Sequence, residues 1–147
     1  MTTWRQTTVQ RAEVVDAVIL RTPATPQYRG VLVSTARELA GQGGIDVSGA
    51  EDLARAVGEA FDNATAHAYR RIRDGAVEVR FYPGESRIIV EVVDRGDGFP
   101  YRLLIQGRGD DVGDACGLRR MQQLVDEVSI RPNLPRGTVV TLVKNGQ

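Results

Sequence analysis

With 147 residues, 41% of them apolar, the chain is sized for one globular domain with a real core, and no second domain is needed. Nineteen basic side chains balance nineteen acidic ones, and a formal net charge of zero argues against a basic nucleic-acid module or attraction to acidic membranes. The single cysteine, Cys116, excludes an intrachain disulfide and fits a reducing compartment, and no run has the length of a signal peptide or membrane span, so a soluble cytoplasmic protein is expected.

Residues 1–11 are polar and contain Trp4, which either packs or belongs to a frayed, disordered end; no element is assigned there. The β-branched run EVVDAVILR, residues 13–21, predicts a first strand stopped at Thr22-Pro23. Between Pro26 and Gly41, the residues Tyr28, Val31, Leu32, Thr35, Ala36 and Leu39 form a helical stripe, punctuated by Gly41, Gly43 and Gly44. Residues 45–49 read as a connector, with Ser48 as cap of a second helix. That helix spans Leu53 to Arg71, and Leu53, Val57, Ala60, Phe61, Ala64 and Ala68 recur on its buried face.

After Gly75, Val77, Val79 and Phe81 alternate with Glu78 and Arg80 as a half-buried strand. A turn at Pro83-Gly84-Glu85 leads to a second strand, RIIVEVV, residues 87–93, and the short separation predicts an antiparallel hairpin. Residues 99–114, spaced by Gly107, Gly109 and Gly113, read as a lid loop. A short helix, 117–125, turns Leu118, Met121, Leu124 and Val125 inward, and two strands, near 127–131 and 138–144, flank a turn at 132–136. The order predicts an α+β two-layer sandwich: a mixed, mainly antiparallel sheet covered on one face by helices.

Four places carry candidate chemistry. Glu59 and Asn63, four apart, project from neighbouring turns of one helix face, a base beside an oxygen donor for a hard cation; as plain surface polar residues they would do nothing. Asp94-x-Gly96-x-Gly98 leaves a strand, where a carboxylate can accept from an exocyclic amine and glycines let a ring approach the backbone, although turns and calcium loops share this pattern. The segment from Asp114 to Arg120 opens a helix, with N–H groups suited to an anion; Arg108, Arg119 and Arg120 either meet a phosphate or are solvated charge. Gly137-Thr138 opens the last strand with a hydroxyl able to reach a ligand directly or through water. His67, the only histidine, and Cys116 are read as packing residues, since no ligand cluster accompanies them.

In their order, GEAFDNATAHAY, VVDRGDGFP, DACGLRRMQQLVDEV and GTVVTL resemble the nucleotide boxes of the gyrase, Hsp90, histidine-kinase and MutL ATPase superfamily. The EAxxNAxxHAY and MxxLVDEV wordings resemble in particular its small bacterial anti-sigma-factor serine kinases, over residues 13–144. The resemblance implies a Bergerat-type ATP-binding sandwich in which Glu59 is the general base and Asn63 ligates Mg2+ on the ATP phosphates. It further implies that Asp94 holds the adenine amine, Gly96 and Gly98 shape the pocket, Gly117 belongs to the phosphate lid and Thr138 supports adenine through water. The implied partners are an alternative sigma factor, an anti-anti-sigma protein that is phosphorylated, and a second copy of the chain. One departure stands in the third box, where Ala115-Cys116-Gly117 replaces a Gly-x-Gly pair. Alanine adopts positive φ poorly. The alternative this implies is an ATP-binding module that sequesters partners with weak or no catalysis.

Overall fold

The computed structural model describes residues 16–68, 75–96 and 117–146. The expected tail at 1–11, the start of the first strand at 13–15, the lid loop 99–114, Gly98, Ala115 and Cys116 lie outside the described residues.

Alternation makes the sheet. In β2 (Ala76–Gly84) Val77, Val79 and Phe81 are buried, and in β3 (Arg87–Asp94) Ile88, Val90 and Val92 are, so both strands turn one apolar face the same way. With β1 (Val18–Pro23), β4 (Glu127–Pro132) and β5 (Thr138–Asn145) they form a five-stranded sheet in the order β1-β2-β3-β5-β4. All four pairings are antiparallel, so the sheet expected to be mainly antiparallel contains no parallel pair among the described residues.

Helices cover the apolar face. A 3-10 turn, Pro26–Tyr28, leads into α1 (Arg29–Gln42), and α2 (Val47–Asn63) follows and widens into a π-type turn at Ala64–Ala68. α3 is Leu118–Leu124. Leu53, Ala56, Val57, Ala60 and Phe61 of α2 join Leu32, Ala36 and Ala40 of α1, Met121 of α3, Val125 just after it, and the strand residues in one core. Each fully buried large side chain there stabilises the fold by about 1.5–3 kcal/mol. The side chains of Ala68 and His67 lie outside the described residues.

Local differences from the sequence reading have physical causes. The cap of α2 is Asp46 and not Ser48: Asp46 has extended backbone, and its Oδ1 accepts from the Gly49 N–H at 2.7 Å, which starts the helix at Val47 and leaves Ser48 inside the first turn. The hairpin turns at Glu85-Ser86, because Pro83 and Gly84 still pair with Ile88 and Arg87. A proline is tolerated there since β1 begins opposite Phe81 and leaves Pro83 paired on one side only. The buried stripe of α1 runs through Leu32, Ala36 and Ala40, while Val31 is exposed. β1 continues through Thr22 and Pro23 before it ends.

Candidate active site

Of the expected site residues, Gly98, Arg108 and Asp114 lie outside the described residues, while Glu59, Asn63, Asp94, Gly96, Gly117 and Thr138 come together as two groups. The first is made by the sheet. Asp94 ends β3, Thr138 begins β5, and the antiparallel register sets them opposite each other. Both share strand parity with buried Val92 and Val140, so both face the helix layer, with only 6% and 1% of their surfaces exposed.

Asp94 Oδ1 accepts from the Gly96 N–H at 3.0 Å. Burial pushes the Asp94 carboxyl above the ordinary carboxylate range, and the backbone N–H groups of Gly96 and Thr138 pull it back down. The result is a buried acceptor held in place by its own backbone. Beside it, Thr138 Oγ1 is buried without a hydrogen-bond partner among the described residues. An unpaired buried hydroxyl costs free energy, so this oxygen has hydrogen-bonding capacity left for a ligand or a water.

The loop before β5 fixes this corner. Asn133 N–H donates to the Gly137 carbonyl at 3.0 Å, Asn133 Nδ2 to the Asp94 carbonyl at 3.0 Å, and Arg136 Nε to the Gly96 carbonyl at 3.2 Å. Gly137 has φ +109°, and a Cβ there would run into the Asp94 carbonyl oxygen and stand 2.6 Å from the Arg95 Cα. Glycine is therefore required by close approach of two backbones. Sequence reasoning noticed Gly137 only as the opening of a strand and missed Asn133 and Arg136. The clue to all three is the pairing of Asp94 with Thr138, which no local spacing reveals.

The second group lies between α2 and α3. Asn63 is buried on the last turn of α2, one turn beyond Glu59. Glu59 is bound by Arg120 of α3, Nε to Oε1 at 3.1 Å and Nη2 to Oε2 at 3.2 Å. Gly117, the cap of α3, has left-handed φ +73°, and a Cβ on it would stand 2.5 Å from Glu59 Oε2. Thus Gly117 and Arg120, one turn apart, enclose a carboxylate distant in sequence. On the side of α2 that meets α1, Gly58 leaves the space taken by the Arg29 guanidinium, which in turn binds Asp62 at 3.0 Å. α2 packs against β3, β5 and α3, and so relates the two groups.

A cleft lined by Arg21, Ala76, Glu78, Val93 and Arg95 is separate from both, since Glu78 and Val93 have the parity of the face turned away from the helices.

The family model described as the histidine kinase-like ATPase domain matches residues 22–144, and the chain belongs to that family. More narrowly, it is similar to the serine-protein kinases RsbW. Identity is 34% over 142 residues with that of Bacillus velezensis, covering 90% of this chain and 89% of the relative. It is 33% over 141 residues with that of Bacillus subtilis, covering 90% and 88%, and 30% over 128 residues with that of Listeria monocytogenes, covering 81% and 82%. Among solved structures, the RsbU and RsbW domains of a Mycobacterium tuberculosis protein superpose with a TM-score of 0.64 at 24% identity, over 88% of this chain and 32% of that longer one, a likeness of fold.

Proposed function

We propose that this chain is an ATP-dependent protein serine kinase that acts as an anti-sigma factor, binding an alternative sigma factor and phosphorylating a serine of an anti-anti-sigma partner. The observation that carries the nucleotide part is the corner of Asp94 and Thr138: a buried carboxylate acceptor next to a hydroxyl without a partner fits the exocyclic amine of adenine and a bridging water. Asp94 holds the amine, Gly96 and Gly98 leave space for the ring, Thr138 acts through the water, and Gly117 belongs to the lid over the phosphates. Asn63 offers one side-chain oxygen to Mg2+, an ion that takes few protein ligands beside substrate phosphates. When bound, that ion neutralises charge on the phosphates.

Glu59 has the role of base. As the serine oxygen attacks the terminal phosphorus and ADP leaves, the hydroxyl proton passes to the Glu59 carboxylate, and most of the acceleration is positioning. The similarity to named serine-protein kinases supports this reaction class. The proposal extends to a single domain that works in the cytoplasm as a homodimer through its first strand and helix; Val18, Ile19 and Val31, exposed on β1 and α1, support that contact. No helix among the described residues is long and apolar enough to cross a membrane.

Phosphotransfer from ATP to a STAS-type protein of the same genome, read as phosphoserine by mass spectrometry, tests the activity. Glu59→Ala is expected to abolish transfer and keep nucleotide binding; transfer that survives the change sinks the role of Glu59. A strict monomer by light scattering at micromolar concentration removes the dimer. The second reading, a module that binds ATP and partners without turnover, is favoured by Ala115 in the third box and by the occupied state of Glu59. Tight Mg–ATP binding with no transfer to any acceptor would select it.

A further inference from the structure

The grip of Arg120 on Glu59 is at odds with base catalysis. A guanidinium fork on both oxygens occupies one lone-pair site on each and holds the carboxylate plane toward Arg120, and Gly117 closes on Oε2 from the same helix. Yet the pair is built to part: the Arg120 side chain is 60% exposed and Glu59 23%, so solvent weakens their attraction. A phosphate with two negative charges is a better partner for the same planar fork than a single carboxylate. If Glu59 is the base, the terminal phosphate of ATP must come near it, and therefore near Arg120.

We propose that Arg120 exchanges between two partners: it holds the Glu59 carboxylate out of use in the nucleotide-free chain, and the terminal phosphate of a nucleoside triphosphate draws it off. The base is then freed only when a phosphoryl group is present to be transferred, and a diphosphate leaves the latch closed. This rests on the reading of Glu59 as base at an ATP site. Arg120 is a positioning residue for that carboxylate and a ligand of the terminal phosphate.

A double-mutant cycle on affinity tests it, with Mg–ATP and Mg–ADP titrated by calorimetry into the full chain and into its R120A, E59Q and doubly altered forms. R120A is expected to weaken ATP at least about tenfold, the scale of a lost charged hydrogen bond, and to leave ADP within about twofold. E59Q is expected to tighten ATP about two- to fivefold, because the guanidinium no longer has to leave a charged partner, and this gain is expected to vanish when Arg120 is also absent. Equal losses for ATP and ADP in R120A overturn the exchange. So does an E59Q gain that persists without Arg120, since that is plain repulsion between carboxylate and phosphate. Failure of the underlying reading shows separately: phosphotransfer retained by E59Q removes the base role, whereas transfer lost in E59Q with a failed cycle removes the exchange alone.

Discussion

Gly137→Ala is the sharpest test of the nucleotide corner, because the change is one methyl group and its surroundings are backbone. A residue with a side chain held at φ +109° is strained by about 1–3 kcal/mol. The added Cβ also meets the Asp94 carbonyl oxygen and the Arg95 Cα, neither of which can rotate aside, and such overpacking costs about 1–3 kcal/mol more. The sum, about 2–6 kcal/mol, is a large part of the ~5–15 kcal/mol that holds a domain together. If the loop moves away to relieve the collision, it gives up the two Asn133 bonds, at about 1 kcal/mol each, and takes Thr138 out of register with Asp94. Urea unfolding followed by circular dichroism reads the loss as a lower midpoint at constant slope. Gly41→Ala is the control: nothing lies within 4 Å of its Cβ, and in a helix the change is expected to be neutral or stabilising by up to about 1 kcal/mol. A Gly137→Ala chain within about 1 kcal/mol of the unaltered one, with ATP affinity unchanged, would refute the argument.

Gly117→Ala places a side chain at φ +73° against the Glu59 carboxylate and is expected to destabilise by about 1–2 kcal/mol, with a larger loss in phosphotransfer than in ADP affinity, measured by urea unfolding and calorimetry. Asp94→Asn turns one acceptor into a donor facing the Gly96 N–H or the adenine amine, and ATP and ADP affinities are both expected to fall at least about tenfold by calorimetry. The same variant has a pH signature. The Asp94 carboxyl is raised in the folded chain, so the folded state keeps a proton the unfolded state has lost, and stability falls as pH rises through the window just above the ordinary carboxylate range. Asp94→Asn removes that decline, and its urea midpoint is expected to gain on the unaltered chain across that window and to hold the gain at neutral pH. Asn63→Ala is expected to abolish the Mg2+ dependence of ATP affinity while ADP without metal binds as before, read by titration with and without the ion.

What sequence could reveal followed the range of the interaction. Period-two alternation marked β2 and β3, and the stripe of Leu53, Val57, Ala60 and Phe61 marked α2, because one buried face repeats within the element itself. Cap and turn were harder. Asp46 and Ser48 are both capping residues two apart, and only the bond to the Gly49 N–H decides between them. Pro83 looks like a turn residue until β1 is seen to begin opposite Phe81. Glu59, Asn63 and Asp94 were legible as a resemblance to known boxes. Their partners were not: the β3–β5 pairing passes over α3 and β4 in sequence order, and Arg120 is 61 residues from the carboxylate it binds.

The two groups also differ in how they are held, and that difference separates the kinase from the binding module. The adenine corner is set by strand register, backbone N–H groups and a glycine contact, none of which depends on a flexible side chain. The Glu59 side depends on an exposed arginine and on the entry into α3, where the Ala115 departure stands two residues before Gly117. Changes on the second side can therefore end chemistry and leave adenine binding whole, while a change in the corner removes both. A chain that had drifted to pure sequestration would keep Asp94, Gly137 and Thr138 and tolerate Glu59→Ala without consequence for its partners. A chain that still transfers phosphate would lose that transfer on the same substitution and would still bind ATP. Glu59→Ala, assayed for partner release as well as transfer, is thus the one change for which the two readings give opposite results.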